Sequence, residues 1–251
     1  MKAKLGQNFL ADESVLQFEA ESAYVRGKSV LEIGAGDGRL TSKLLAQGAG
    51  HITAIELDPK LAKLLRMKFS RRVQVLEKDF LEFSPEKKYN VVTGNIPYYI
   101  TSPIIFKLAA MDFDLAIICV QKEVAERMVA QSGSANYGRL SVSCQLIFDL
   151  EVLAAVGREA FSPPPKVDSC IISLKKTGFS LCKEEEAAIA AIFSHRKKSL
   201  KNAVVDGRQA LFGDSSRQTA ARIAQTLKYA GSKVFTLSPP QVLESVRQLV
   251  G

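Results

Sequence analysis

Short β-branched runs alternate with helical patterns from residue 28 onward, and this alternation constrains the fold more than any other feature. The predicted strands are KSVLEI, HITAIEL, VQVLE, YNVVTG, DLAIICV, LEVLAAV and VDSCIISLKK. Strands that alternate with helices predict a mostly parallel sheet with helices on both faces. The last two runs, at residues 150–156 and 167–176, are candidates for antiparallel strands that close a seven-stranded sheet.

The sequence changes character after residue 177. Four helical patterns follow without a strand between them: EEEAAIAAIF, SLKNAVV, TAARIAQTL and QVLESVRQLV. We therefore expect an α/β domain at residues 1–177 and a small all-helical domain at residues 178–251. Eleven Lys and Arg stand against six Asp and Glu in the second domain, which thus carries most of the net charge of +8. This excess indicates a polyanionic partner.

Composition and spacing exclude several classes of protein. With 47% hydrophobic and 24% charged residues, the chain is neither disordered nor fibrous. Its apolar runs are too short for a membrane span, and residues 1–14 lack the apolar stretch of a secretion signal. The cysteines lack the two-residue spacing of a zinc site or redox pair, and stand at Cys119, Cys144, Cys170 and Cys182. We expect reduced thiols, no metal, no membrane contact and a cytoplasmic location.

A glycine-rich loop, GAGDG, follows the first predicted strand and precedes a helical pattern. Glycines at 34 and 36 allow a sharp turn and a close approach to a ligand beside the free N–H groups of a helix start. Dinucleotide-binding loops also begin in this way. Here Arg39 occupies the position of their third glycine, and the extra Gly38 comes one residue early. The loop therefore favours a nucleotide-like cofactor other than a dinucleotide.

Acidic residues mark the ends of the next two strands. Glu56 can accept hydrogen bonds from vicinal ribose hydroxyls. Asp79 can accept a hydrogen bond from an adenine amine, and the ring of Phe80 can lie on the base. Three consecutive strand ends thus carry groups suited to an adenosine without a pyrophosphate. The most consistent cofactor is S-adenosylmethionine.

The tetrapeptide Asn95-Ile96-Pro97-Tyr98 follows the fourth predicted strand. An exocyclic adenine amine is a poor nucleophile because its lone pair is delocalised into the ring. The side-chain oxygen of Asn95, together with the carbonyl of Ile96 or Pro97, can accept both N–H bonds and leave the lone pair free for attack on a methyl group. Pro97 fixes the backbone, and Tyr98 can stack on an extruded base. This motif predicts amine methylation without a general base.

Together these motifs resemble a known family. GQNFL (6–10), EIGAGDG, IELD, DF, NIPYYI, FSPPPKVDS (161–169) and FSHRKKSLKNA (193–203) are similar to the KsgA-type ribosomal RNA adenine N6,N6-dimethyltransferases. The resemblance implies a Rossmann-like class I methyltransferase fold with a C-terminal helical domain. It also implies S-adenosylmethionine-dependent dimethylation of two adjacent adenosines in a hairpin loop near the 3′ end of small-subunit ribosomal RNA. Such an enzyme acts in biogenesis of the small subunit, and we expect a monomer.

The resemblance also assigns roles to individual residues. It implies that the N-terminal segment, residues 1–27, closes over the cofactor. Tyr98 and Phe161 would hold the target base, with Pro163–Pro165 stiffening the loop that carries Phe161. The cofactor contacts that it implies fall on Asn8, Leu10, Gly34, Glu56, Asp79 and Asn95.

The densest basic cluster of the second domain lies on a predicted helix. It consists of Arg196, Lys197, Lys198 and Lys201, and Lys2 and Lys4 are candidates to extend its field. Cations of this kind grip phosphates and provide affinity and orientation without reading sequence. We expect this cluster to bind the ribosomal RNA.

Three other functions stay open at this point. A large-subunit adenine methylase of the macrolide-resistance type shares the glycine loop and the NIPY motif, although KVDS and RKKSLKNA are more similar to the small-subunit enzymes. A nicotinamide-dependent dehydrogenase would use the same kind of loop. A non-catalytic assembly factor would bind the maturing subunit without methylating it.

Overall fold

A seven-stranded sheet forms the centre of the first part of the molecule. The computed structural model describes residues 8–251. Five strands of the sheet are parallel, and each ends in the region of the predicted motifs. In chain order the strands, including two short ones outside this sheet, are β1 (Phe9–Leu10), β2 (Ser29–Ile33), β3 (His51–Glu56), β4 (Val73–Glu77), β5 (Tyr89–Asn95), β6 (Phe113–Gln121), β7 (Phe148–Val156), β8 (Phe161–Ser162) and β9 (Ser169–Lys176).

The strand order confirms the predicted architecture. The sheet runs β4-β3-β2-β5-β6-β9-β7, and β9 is antiparallel to β6. The two central strands β2 and β5 are paired directly although two strands lie between them in the chain. The order therefore reverses between β2 and β5, which is where open α/β sheets bind ligands beyond the carboxyl ends of their strands.

The two short strands were not predicted. β1 pairs antiparallel with β8, so that Phe9 faces Ser162 and Leu10 faces Phe161 in the register. The amides of Ala11 and Asp12 both donate to the carbonyl of Ala160. These contacts fix the described part of the N-terminal segment to a stretch about 150 residues later in the chain.

Several helices begin at residues whose side chains cap them. The side chain of Asp58 accepts a hydrogen bond from the amide of Lys60, and Pro59 occupies the first helical position. The helices are α1 (Glu13–Ser22), α2 (Arg39–Ala46), α3 (Pro59–Phe69), α4 (Thr101–Ala110), α5 (Lys122–Met128), α6 (Arg139–Ile147), α7 (Lys183–Phe193), α8 (Leu200–Asp206), α9 (Arg208–Phe212), α10 (Arg217–Gln225) and α11 (Pro239–Val250). The four helices predicted for the C-terminal region are confirmed as α7, α8, α10 and α11.

The chain forms two compact units, and each has its own apolar core. The first comprises residues up to Ala125 together with Asp149–Lys176, and the second comprises Glu126–Phe148 together with Thr177–Gly251. The sequence prediction placed residues 126–148 in the first domain, because they precede the change of pattern after residue 177. In the structure, Tyr137 and Val142 of this segment pack in the core of the second unit.

Parts of the predictions fall outside the described residues. These are residues 1–7 of the N-terminal segment, including the first two residues of the GQNFL motif and the cations Lys2 and Lys4. Within residues 8–251, none of the helices has the length and apolar character that a membrane crossing requires.

Candidate functional site

A cavity of about 240 Å³, which we call the main cavity, opens at the carboxyl ends of the parallel strands of the first unit. It is lined by side chains and backbone from the ends of β2, β3, β4 and β5, as expected for polar groups that follow neighbouring parallel strands. The predicted site residues that line this cavity are Asn8, Gly34, Gly36, Glu56, Asp79, Phe80, Asn95, Pro97 and Tyr98.

Glu56 connects the glycine loop to the end of β3. Its carboxylate is buried, and it accepts hydrogen bonds of 2.8 Å from the amides of Gly36 and Asp58, one on each oxygen. A carboxylate offers about four lone-pair positions, so both oxygens keep capacity for further donors. The position therefore suits two ribose hydroxyls, and the same carboxylate ties the glycine loop to the end of β3.

The glycine loop has the backbone geometry expected for a ligand cradle. Gly36 has a φ of 57°, in the left-handed region that favours glycine, and a Cβ at this position would lie 3.1 Å from the ring of Phe9. Phe9 belongs to β1, so the described N-terminal residues cover the loop from one side. Asn8 lines the same cavity, which agrees with the predicted position of this segment beside the cofactor site.

Asp79 and Phe80 follow β4 as a short 3₁₀ turn. Asp79 caps this turn by accepting a hydrogen bond of 2.8 Å from the amide of Leu81, which uses one of its two carboxylate oxygens. Phe80 is buried, and the ammonium group of Lys107 lies 5.6 Å from the centre of its ring. The turn thus presents an acidic acceptor and an aromatic ring to one wall of the cavity.

Asn95 is the last residue of β5, and its two amide atoms have different environments. Its Nδ2 donates a 3.0 Å hydrogen bond to the backbone carbonyl of Asn8, which fixes the orientation of the amide. Its Oδ1 is buried and accepts no hydrogen bond from any residue in the part of the chain that the structure describes. A buried acceptor without a donor is costly. This atom therefore fits a ligand N–H group in the cavity.

Gly94 allows β5 to deliver Asn95 to the cavity, and sequence reasoning missed it. Its φ is 148°, and a Cβ at this position would lie 2.3 Å from the carbonyl oxygen of Ile33 on the neighbouring strand β2. Any other residue would separate the two strands where the site is built. A lone glycine inside a strand pattern, directly before a polar motif, was the available signal.

The carbonyls of the NIPY motif are not equivalent. The carbonyl of Pro97 accepts hydrogen bonds from the amide of Ile100 at 3.1 Å and the hydroxyl of Thr101 at 3.2 Å. Ile96 instead donates its amide to the carbonyl of Cys119 on β6, 3.0 Å away. Because the Pro97 carbonyl is already used twice, the geometry favours Ile96 as the second acceptor beside Asn95.

Tyr98 is held by the KVDS segment. Its hydroxyl lies 2.7 Å from the hydroxyl of Ser169, the first residue of β9. Half-burial of the ring raises the pKa of Tyr98 above its usual value, so the phenol stays neutral at physiological pH. Asp168, the preceding residue, accepts a hydrogen bond from the amide of Arg158 and does not line the cavity. The ring is thus fixed for stacking.

Two predicted residues lie elsewhere. Phe161 is only 2% exposed and packs in the apolar core of the first unit, in register with Leu10. It does not line the main cavity, so its contact with the target base stays a prediction. Leu10 lies behind the glycine loop, where it lines a second cavity of about 40 Å³ rather than the main one.

Two buried acids line this second cavity beside Leu10. Burial raises the pKa of Glu19 to about 7, and burial together with the nearby Glu19 carboxylate raises the pKa of Glu32 to about 8. Glu32 accepts a 2.6 Å hydrogen bond from Thr41, whereas Oε2 of Glu19 has no partner among residues 8–251. The helical pattern of α1 gave no reason to expect an acid on its buried face.

The predicted basic cluster does not lie on a single helix. Residues 194–199 form a turn between α7 and α8, and only Lys201 belongs to a helix. Arg196 donates to the backbone carbonyl of Tyr137, and Lys198 forms an ion pair of 2.6 Å with Asp206. Lys197 and Lys201 are exposed. Two of the four cations are therefore already used inside the second unit.

Comparison with known proteins identifies the family of this chain. The family described as "Ribosomal RNA adenine dimethylase" matches residues 1–230. The "Ribosomal RNA small subunit methyltransferase A" of Mycoplasmopsis pulmonis is 41% identical over 209 residues, covering 80% of this chain and 82% of the relative. The "Probable ribosomal RNA small subunit methyltransferase A" of Methanothermobacter thermautotrophicus is 38% identical over 247 residues, covering 97% and 89%.

Two solved structures have the same fold. A dimethyladenosine transferase from Plasmodium falciparum superposes with a TM-score of 0.80 at 27% identity, covering 94% of this chain and 95% of that one. The 23S rRNA methyltransferase ErmE gives a TM-score of 0.68 at 29% identity, covering 97% and 100%. These matches confirm the predicted class I methyltransferase fold. The family match over most of the sequence shows that this chain belongs to the ribosomal RNA adenine dimethylase family.

Proposed function

We propose that the protein dimethylates the exocyclic N6 amine of two adjacent adenosines in a hairpin loop near the 3′ end of small-subunit ribosomal RNA, with S-adenosylmethionine as methyl donor. The observation that carries the proposal is the buried, unpartnered Oδ1 of Asn95 at the edge of the main cavity. It is an acceptor held in place for a donor that the described chain does not supply.

The main cavity suits the adenosine part of the donor. Glu56 would accept the ribose hydroxyls, Asp79 would accept the adenine amine, and Phe80 would contact the base. The bound donor supplies an electrophilic methyl group on a sulfonium sulfur. Gly34 and Gly36 leave room for the donor at the loop, and Asn8 and Phe9 bound it from the N-terminal side.

The residues of β5 and the following turn would orient the nucleophile. Oδ1 of Asn95 and the carbonyl of Ile96 would accept the two N–H bonds of the target amine, which draws its lone pair out of conjugation. Most of the acceleration comes from alignment of this nitrogen with the methyl carbon. His51 and His195, the two histidines of the chain, lie outside the cavity lining, in agreement with attack that needs no general base.

The aromatic residues after β5 would hold the extruded base. The ring of Tyr98 is fixed through Ser169, and the neighbouring Tyr99 is 63% exposed at the cavity. Base stacking on an aromatic ring contributes about 1–3 kcal/mol and tolerates any base. Selection of adenine would therefore rest on the amine contacts, and the stack would provide affinity.

The names of the relatives support the small subunit as the source of the RNA. Curated relatives at 38% and 41% identity are named for the small subunit, whereas the large-subunit methyltransferase ErmE is 29% identical and superposes less well than the dimethyladenosine transferase. We place the reaction in the cytoplasm on RNA of an assembling small subunit, with the protein acting as a monomer. Lys197 and Lys201 are exposed and have no ion-pair partner within residues 8–251, and Lys198 can exchange its exposed ion pair for a phosphate.

Radiolabelled methyl transfer tests the proposal directly. Separated, undermethylated small and large ribosomal subunits are incubated with the protein and the labelled donor, and the RNA is digested to nucleosides. We expect label in N6,N6-dimethyladenosine from small subunits alone. Label in large-subunit RNA would support the macrolide-resistance type of methylase, and binding to small subunits without transfer would support a non-catalytic assembly factor.

A further inference from the structure

The outer face of α3 combines cations with exposed apolar side chains. Lys60, Lys63, Leu64 and Met67 recur at the spacing of one helix face, and Met67 is 74% exposed. Arg71 and Arg72 follow in the turn after the helix and are also exposed. We call these six residues the α3 basic face.

In the part of the chain that the structure describes, its four cations are free for an external partner. Within residues 8–251, the side chains of Lys60, Lys63, Arg71 and Arg72 make no hydrogen bond and no ion pair. Two further cations nearby are used by the protein itself. Arg66 pairs with Glu77 at 3.2 Å, and Lys68 donates to the carbonyl oxygens of Asp37 and Gly38.

The α3 basic face begins next to the main cavity. Pro59, the first residue of α3, stands three positions after Glu56, whose carboxylate lines that cavity. From there the helix runs back along β3 and β4 to the start of β4 at Val73. Eleven helical residues extend about 16 Å. A duplex carries one phosphate charge per about 1.7 Å of its axis, so the face is long enough to meet several phosphates.

We propose that the α3 basic face binds the phosphate backbone of the substrate RNA outside the target loop. The proposal rests on the function proposed above, and it assigns an RNA-binding surface to the first unit itself. Such a surface orients the RNA relative to the cavity without reading sequence. Leu64 and Met67 provide apolar contacts to sugars between the cations.

A basic helix with exposed apolar residues can also lie on an acidic membrane. Membrane-surface helices insert a continuous apolar face. In α3 that face is already buried in the protein, since Ala62 and Leu65 are fully buried and Phe69 is 7% exposed. Two exposed apolar residues provide little area for insertion, whereas four exposed cations match a phosphate backbone directly. Charge complementarity therefore favours RNA.

Matched charge reversals test the surface. The variant K63E/R72E changes two cations of the α3 basic face. The control K87E/K175E changes two exposed cations and has the same net charge. Lys87 precedes β5, and Lys175 of β9 pairs with Leu115 near the start of β6. Binding to undermethylated small subunits is measured from 50 to 300 mM KCl, and donor binding by calorimetry verifies that each variant is folded.

We expect K63E/R72E to lower subunit affinity about tenfold and to reduce the salt slope by about 1.4 to 1.8, because each lost phosphate contact removes about 0.7 to 0.9. K63Q/R72Q should reproduce the reduction in slope with a smaller loss of affinity. The control should keep the slope of the wild type. Equal slopes for K63E/R72E and the control would overturn the proposal.

A second probe separates RNA from membranes. Wild type and K63E/R72E are sedimented with phosphatidylserine-rich vesicles. Loss of vesicle binding in K63E/R72E, with subunit binding equal to that of the control, would overturn the proposal in favour of a lipid surface. Failure of the wild type to methylate any adenosine would contradict the proposed function, and the salt slopes would still report whether this face binds RNA.

Discussion

The cavity of the first unit and the basic turn of the second unit differ in how reliably sequence indicated their use. Cavity residues from four successive strand ends meet as predicted, because parallel strands bring their carboxyl ends to one edge. Of the four cations predicted to bind RNA, Arg196 and Lys198 bond to other parts of their own unit. Topology fixes where a strand end lies, whereas the availability of a surface charge depends on which partners the folded chain brings beside it.

The largest expected effect follows from removing the side chain of Asn95 in the cavity. We expect Asn95→Ala to reduce methyl transfer by about 100-fold to 1000-fold, as the loss of one preorganised hydrogen-bonding group typically does. Subunit binding should be nearly unchanged, because the substitution leaves the surface cations intact. Single-turnover transfer and subunit binding measure the two effects separately. Transfer by Asn95→Ala at the wild-type rate would remove Asn95 from the mechanism.

Tyr98 gives the next largest expected effect. Loss of its ring in Tyr98→Ala removes base stacking, and we expect kcat/KM for subunits to fall by about 5-fold to 150-fold. Tyr98→Phe and Ser169→Ala keep the ring and remove only the hydroxyl contact of 2.7 Å, so each should lose less than about fivefold. If Tyr98→Phe is as impaired as Tyr98→Ala, the hydroxyl has a direct chemical role.

The second-unit cluster should divide into two kinds of cation. We expect K197E/K201E to weaken subunit binding about tenfold and to reduce its salt slope, without a change in the thermal midpoint Tm. Arg196→Ala should instead lower the Tm, because it removes a charge-assisted hydrogen bond worth about 1.5–3 kcal/mol to the carbonyl of Tyr137. Salt titrations and thermal melts of both variants measure this division. A lowered Tm for K197E/K201E with an unchanged salt slope would contradict it.

The smallest expected effect concerns the buried acid behind the cavity. Glu19 has a pKa of about 7 in the folded protein, raised by burial from an ordinary value of 4.5. Below pH 4.5 the folded and unfolded states both hold the proton. The free energy of unfolding then falls as the pH rises towards and through 7, because folding opposes the ionisation of Glu19. We expect the Tm of the wild type to fall between pH 5 and pH 8, and that of Glu19→Gln to fall less.

Glu19→Gln also has an internal control. At about pH 3.5, where the folded and unfolded states both hold the proton, the glutamine should behave like the protonated acid, so the two proteins should melt together. The pH dependence of Tm that remains in Glu19→Gln reports Glu32, whose pKa of about 8 means that it ionises at a slightly higher pH. Parallel Tm curves for wild type and Glu19→Gln across this range would show that Glu19 does not ionise against the fold.

Sequence alone predicted the parts of the molecule that follow from a local sequence pattern. The strand and helix alternation gave the seven-stranded sheet, and the polar residues at strand ends gave most of the cavity. The pairing of β1 with β8 could not be predicted, because it joins segments about 150 residues apart that carry no alternating pattern. Phe161, to which the family resemblance assigns a contact with the target base, belongs to this pair and is buried.

Charge was harder to interpret than strand order. Counting by domain directed attention to residues 196–201, because the first domain has a small net excess of positive charge. That small excess hides the concentration of cations on α3, because the acids that balance these cations lie on other elements. Gly94 and Glu19 were missed for a related reason. The role of Gly94 depends on Ile33 of the neighbouring strand β2, and that of Glu19 depends on Thr93 of β5, which donates a hydrogen bond to it.

The most direct test of the account is a crystal structure with a non-reactive analogue of S-adenosylmethionine. We predict that the ribose hydroxyls contact Glu56 and that the group replacing the methyl points toward Oδ1 of Asn95, with open access from solvent for a base. An analogue whose transferable position faces away from the end of β5, or is enclosed by protein on the side of Tyr98, would contradict it.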